Sequence, residues 1–214
     1  MNKELEKWKK RLAAVRGKTL IGLTGPIASG KSLALDCFRK EGALCISADA
    51  VAAEVLTSPA CYNRILLKFG TRTILTNGFL DKERLAAEIF SAPAKRKWLE
   101  SLLHPEILKR IHSLTTKSRK KVVVVEAPLL FEAGLAGCFT ITICLSAPEK
   151  ELRRRAMGRG WTRAQYLARA KAQLGAPEKY ALADLTLDNG GKPGDLRKRV
   201  RALYRFINNA AGEN

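Results

Sequence analysis

Gly25-Pro26-Ile27-Ala28-Ser29-Gly30-Lys31-Ser32 is the stretch on which the reading of this chain turns. A glycine, four residues, then glycine, lysine and serine stand between a strand-like run, Leu20-Ile21-Gly22-Leu23-Thr24, and a helical stretch over 31–40. In that setting successive backbone N–H groups turn inward around a polyphosphate, and the helix N-terminus adds positive potential. Lys31 is expected to bridge β- and γ-phosphates and Ser32 to offer its hydroxyl to Mg²⁺. Glycine at 25 and 30 suits the tight backbone path. The motif therefore predicts nucleotide binding.

Working outward, further strand-like runs fall at 43–47, 122–126, 140–145 and 184–187, each short, apolar and followed by helical or turn-forming sequence. Strands that alternate with helices imply a parallel sheet. The expected fold is α/β, of the P-loop nucleoside-triphosphate hydrolase type, with five parallel strands flanked by helices. Helical patterning dominates 59–121, over 81–90 and 94–112, broken by an Asn77-Gly78 turn and by Pro105. It is too long for a simple crossover and reads as an inserted subdomain. An arginine-rich helical insert over about 148–180 reads as a lid, and a last helix begins after Gly190-Gly191. The core is then 18–58, 122–147 and 181–214. Ahead of it, residues 1–17 form an amphipathic helical extension, with Leu5, Trp8, Leu12 and Val15 on one stripe.

The stretch 122–148 is apolar enough to catch a hydropathy window, but Pro128, Gly134, Gly137 and Pro148 divide it. Two buried strands joined by a loop fit better than a transmembrane helix. Over the 214 residues, 39 Lys and Arg against 20 Asp and Glu leave a net charge of +19, which points to anionic partners. Aromatic residues make up only 7% and no RNA- or DNA-reading motif occurs, so no stable nucleic acid partner is expected. Five cysteines without a C-x-x-C pair argue against a disulfide framework or zinc ribbon and fit a reducing cytoplasm. The N-terminus lacks the apolar stretch of a signal peptide.

Asp49 follows the second strand in Ser47-Ala48-Asp49, where it faces the crevice of a parallel sheet and can accept a hydroxyl proton, or caps a helix over 50–56. Glu126 ends its strand, a place from which an acid reaches Mg²⁺ or orients a loop. Of Arg153, Arg154, Arg155, Arg159 and Arg163, helical spacing aims one or two at nucleotide and leaves the others in solvent. His104 and His112 have no Cys or His partner nearby, so metal ligation by histidine is not expected.

These stretches, taken in order, resemble the dephospho-CoA kinase family. The resemblance covers about 20–203. It rests on 22–32, Ala48-Asp49, Leu80-Asp81, Leu103-His104-Pro105, Pro128-Leu129-Leu130-Phe131-Glu132, Arg169 with Gln173, Lys179, Ala183-Asp184 and Asp188-Asn189. It implies transfer of a phosphoryl group from ATP to the ribose 3′-hydroxyl of dephospho-CoA, giving CoA and ADP. By resemblance, ATP phosphates lie on Ala28, Ser29, Gly30, Lys31, Ser32 and Leu33, with Gly25 opening the loop. Mg²⁺ sits at Ser32, Asp49 aligns the acceptor hydroxyl, Arg154 contacts ATP from the lid, and Asn189 lies near the adenine. The insert over 59–121 would hold the CoA-side substrate. The chain departs from the family at Ser47, where a second Asp is usual, at Ala53, where Arg is usual, at Lys82, and at Pro26 and Ala28, where glycine is common. Loss of an arginine at Ala53 removes a bidentate phosphate clamp. Another small-molecule kinase, or a nucleic-acid-binding regulatory ATPase drawn by the positive charge, is the alternative.

Overall fold

A computed structural model of the chain describes residues 2–77 and 79–210. In chain order the elements are α1 (Lys3–Ala13), β1 (Thr19–Thr24), α2 (Lys31–Glu41), β2 (Leu44–Ser47), α3 (Ala48–Leu56), α4 (Pro59–Phe69), α5 (Thr71–Ile74), β3 (Leu75–Thr76) and β4 (Phe79–Leu80). They continue with α6 (Lys82–Ser91), α7 (Pro93–Lys117), β5 (Val122–Glu126), β6 (Ile141–Ser146), α8 (Glu149–Met157), α9 (Arg163–Lys171), α10 (Ala176–Leu182), β7 (Leu185–Asp188) and α11 (Pro193–Ala210). Residues divide into two compact units, one of 2–8 with 48–114 and the other of 9–47 with 115–210.

The second unit is built on the expected five-stranded sheet, in the order β2-β5-β1-β6-β7 with every pair parallel. The central strands β1, β5 and β6 are nearly continuous apolar runs because both of their faces are covered, while the edge strands β2 and β7 are partly exposed. On one face Ile21, Leu23, Val122, Val124, Ile143, Leu145 and Leu187 alternate inward against Ala34, Leu35 and Phe38 of α2 and Leu196, Val200 and Ile207 of α11. Each such side chain, fully buried, contributes about 1.5–3 kcal/mol. On the other face Gly22 keeps its place by size: a Cβ there would lie 2.6 Å from Leu130 and 2.7 Å from Phe139. Its absence lets the segment after β5 close directly on the sheet.

The segment 122–148 folds as the two buried strands expected, β5 and β6, and among the described residues no helix is long and apolar enough to cross a membrane. All five cysteines are free. Burial pushes the thiols of Cys45 and Cys144 up to about 11, so both stay protonated and unreactive near neutral pH.

The first unit is largely helical, with three differences from sequence expectation. The Asn77 turn joins two short antiparallel strands, β3 and β4, whose two-residue lengths are below what periodicity reports; Gly78 lies outside the described residues. Helix α3 starts at Ala48, so Asp49 sits in its first turn rather than at the cap, where a carboxylate still complements the helix dipole. Helix α7 runs through Pro105 instead of stopping there. Proline has no N–H for the carbonyl four residues earlier, which is Ser101. That oxygen accepts from the Asn2 side-chain amide at 2.8 Å, while the Asn2 Oδ1 accepts from the Leu5 N–H at 3.3 Å at the start of α1. Asn2 therefore caps one helix and mends another. Trp8 meets His112 edge-on at 5.6 Å. Asp81 caps α6, its Oδ1 accepting from the N–H groups of Glu83 and Arg84 at 3.0 and 3.1 Å.

Candidate active site

The loop 25–30 leaves β1 and enters α2, as the motif requires. Its curvature comes from three positive φ values, 149° at Gly25, 60° at Ala28 and 97° at Gly30. Ala28 carries this without being glycine, at a cost of about 1–2 kcal/mol. Its methyl group is buried in a cluster with Ala147, Leu152, Ala156 and Tyr166, against which Ile27 and Trp161 also pack. Helices α8 and α9 thus rest on the loop 25–30 itself. Burial of Ala28 holds the loop in a left-handed conformation that glycine adopts without strain.

Lys31 folds back over the loop, donating to the carbonyl oxygens of Gly25 at 3.0 Å and Pro26 at 3.1 Å. Ser29 is fully buried and its hydroxyl oxygen has no hydrogen-bond partner. Ser32 is exposed on the first turn of α2, and Leu33 is half-buried against the core. Glu126, at the carboxyl end of β5, is 8% exposed and accepts from the Ser47 hydroxyl at 3.2 Å; Ser47 is its partner across the sheet.

Asn189 stands at the end of β7, buried to 4% exposure. Its side-chain amide donates to the Ser29 carbonyl at 2.7 Å, its own N–H donates to Ser146 at 2.7 Å, and its carbonyl accepts from Arg155 Nη2 at 2.7 Å. A Cβ on Gly30 would lie 2.2 Å from the Asn189 amide nitrogen, so only glycine admits this contact. Asn189 is a brace behind the loop, a role that its place in an Asp-Asn-Gly stretch did not reveal.

The arginines of α8 divide between solvent and the interior. Arg153 pairs with Glu149 at 2.9 Å, and Arg154 pairs with Glu151 at 2.8 Å on an exposed surface. A hydrogen bond from Arg154 holds the Glu151 carboxyl below its usual range. Arg155 turns inward to Asn189, and Arg169 lies over the Trp161 ring at 4.5 Å. The capping box of Thr162 and Gln165 starts α9.

Beside this cluster is an ion pair whose cation is buried. Lys179, fully buried, reaches Glu132 at 3.0 Å, the Pro128 carbonyl at 2.6 Å and Gln173 at 3.3 Å. Glu132 also accepts from the Leu174 N–H at 2.8 Å. Residues 42 to 51 positions apart join at one point, which spacing alone did not predict. Asp49 belongs to the other unit, exposed on the first turn of α3.

The family model for dephospho-CoA kinase matches residues 19–195, most of the chain. The chain belongs to the dephospho-CoA kinase family. It is accordingly an ATP-dependent kinase of CoA biosynthesis. It is 36% identical over 190 residues to a dephospho-CoA kinase of Frankia casuarinae, spanning 87% of this chain and 82% of that protein. It is 33% identical over 201 residues to the dephospho-CoA kinase of Shewanella oneidensis, spanning 92% and 98%. Among solved structures it resembles TT1252 from Thermus thermophilus, with a TM-score of 0.79 at 33% identity over 89% of this chain and 98% of that one. A dephospho-CoA kinase from Campylobacter jejuni gives 0.67 at 27% identity over 89% and 97%.

Of the stretches that carried the dephospho-CoA kinase resemblance, Glu132, Gln173 and Lys179 meet at this ion pair. Asp184 accepts from the Thr142 N–H and hydroxyl, both at 2.7 Å, tying the approach to β7 onto β6. At two of the departures, Ser47 serves Glu126, and Ala53 is an exposed methyl on α3.

Proposed function

We propose that the acceptor is the ribose 3′-hydroxyl of dephospho-CoA and that Lys31, Asp49 and Arg154 act on the reacting groups. The observation that carries this reading is the braced loop 25–30 between β1 and α2, with α8 and α9 seated on it. The N–H groups of Ala28, Ser29, Gly30, Lys31, Ser32 and Leu33 hold the β- and γ-phosphates of ATP, and Lys31 exchanges the Gly25 and Pro26 carbonyls for phosphoryl oxygens. The 3′-oxygen forms a bond to the γ-phosphorus while the bond from that phosphorus to the β–γ bridging oxygen breaks, its electrons leaving with ADP. Little covalent help is needed in so loose a transition state, so alignment and charge dominate. Asp49, two residues past the carboxyl end of β2, orients the hydroxyl and takes its proton. Arg154 leaves Glu151 to neutralise charge on the transferred group.

Mg²⁺ is part of the proposal. The donors present, a serine hydroxyl on Ser32 and the Glu126 carboxylate, are hard oxygens of the kind it takes. An ion of this kind is bound through one or two protein oxygens together with substrate phosphates. When bound, it would withdraw charge from the phosphoryl oxygens. The helical unit is assigned the CoA-side substrate, and the free thiols support a cytoplasmic setting.

Purified protein given ATP, Mg²⁺ and dephospho-CoA is expected to release CoA and ADP. Asp49→Asn should lower kcat by about 10²–10⁴ and leave ATP affinity in place. No CoA at saturating substrates, or an Asp49→Asn variant at parental rate, would remove this assignment.

A further inference from the structure

The contacts around Asn189 do more than close a gap in the fold. The loop 188–190 is held from three sides: Arg199 of α11 donates to the Asp188 carbonyl at 2.7 Å, the Asn189 N–H donates to β6, and Arg155 of α8 donates to the Asn189 carbonyl. What the loop then holds is one peptide of the phosphate loop, through the Ser29 oxygen. That peptide is trans, as no cis bond occurs among the described residues, so its C=O and N–H point in opposite directions. Drawing the Ser29 oxygen towards Asn189 turns the Gly30 N–H the other way, away from the brace, where a phosphate can use it. A tilt of this one plane alters the set of amides that the polyphosphate meets.

Arg155 is not placed there for stability alone. Its side chain is 20% exposed, its Nη1 is buried without a hydrogen-bond partner, and its Nε lies 3.9 Å from the nearest Glu151 oxygen. Burying an unsatisfied guanidinium N–H costs stability. The return is a bond to the backbone of the residue that aims the loop.

We propose that Arg155 is a positioning residue for nucleotide: acting through Asn189, it fixes the Ser29–Gly30 peptide and so ties the phosphate affinity of the loop to helix α8. This rests on the loop being the ATP phosphate site and not on the identity of the acceptor. Arg154 is the arginine carried over from the family; Arg155 acts one residue on, through the Asn189 carbonyl.

The test is calorimetric binding, with Mg²⁺ and without acceptor, of two probes: a non-hydrolysable ATP analogue and inorganic tripolyphosphate, which has no base. Arg155→Ala and Asn189→Ala are each expected to weaken both probes about tenfold, and the double variant to bind within about twofold of Asn189→Ala. Arg155→Lys, which keeps the charge but on a shorter stem that falls short of the Asn189 carbonyl, should remain weakened. In steady state KM for ATP should rise while KM for dephospho-CoA holds, even if turnover proves to need another acceptor. Parental affinity in Arg155→Ala would overturn the proposal. So would a loss that persists undiminished in the Asn189→Ala background, full rescue by lysine, or a loss confined to the analogue with a base. Should Asn189→Ala not fold, the two Arg155 variants against tripolyphosphate decide it alone.

Discussion

At the scale of the residue, Lys179 shows how a charge survives without water. Fully buried, it spends its ammonium on Glu132, Pro128 and Gln173. The pair is easier to remove whole than to break, because one partner left behind is an uncompensated charge. Glu132→Gln is expected to destabilise by about 3–5 kcal/mol in urea unfolding, and Lys179→Met with Glu132→Leu by clearly less. Equal losses would mean that the pair itself carries the stability. Asp184 gives a pH signature. Hydrogen bonds from the Thr142 hydroxyl and N–H hold its carboxyl below the usual range, so its contribution is present above the unfolded value of about 3.9 and is lost as pH falls through the lower folded one. Asp184→Asn should therefore be less stable than the parent at pH 7, with the gap closing below about pH 4; urea midpoints across that range that stay a fixed distance apart would contradict it.

At the scale of the element, the sheet was legible because each strand is a short apolar run between turn residues, and a strand buried on both faces leaves that trace. The loop between β1 and α2 and the place of Glu126 at the end of β5 were legible too, because each position follows from its own local sequence. The parts that sequence did not yield are those in which a residue's partner is distant. Asn189 against Ser29 and Asn2 against Ser101 are separated by 160 and 99 positions, and no periodicity encodes either. Pro105 read as an interruption because its cost was visible and its remedy was not. That remedy is testable by a double-mutant cycle. Asn2→Ala is expected to cost about 0.5–1.5 kcal/mol in the parent through the Ser101 bond. It should cost less in a Pro105→Ala background, where a restored N–H reaches the same carbonyl. Additive losses by thermal unfolding would show that the two residues act apart.

At the scale of the whole molecule, the charge of +19 outruns its compensation. With 39 cations and 20 acids, at least 19 cations have no acidic partner even if every acid pairs once. Two polyanionic substrates need only part of this. Self-repulsion of that size weakens a compact state at low ionic strength and is screened within about 10 Å at 0.1 M salt. The unfolding temperature is expected to rise between about 20 and 300 mM NaCl, and a flat or falling curve would show that paired charges outweigh unpaired ones. The Asn2 contact bears on how the protein is handled. Since the Asn2 side chain supplies a bond that the middle of α7 lacks, a change beside position 2 bears on the helix that carries His104-Pro105. An affinity handle at the start of the chain and one at its other end are thus not equivalent reagents, and enzyme prepared with the first has to be compared with handle-free protein before its substrate kinetics are taken as native.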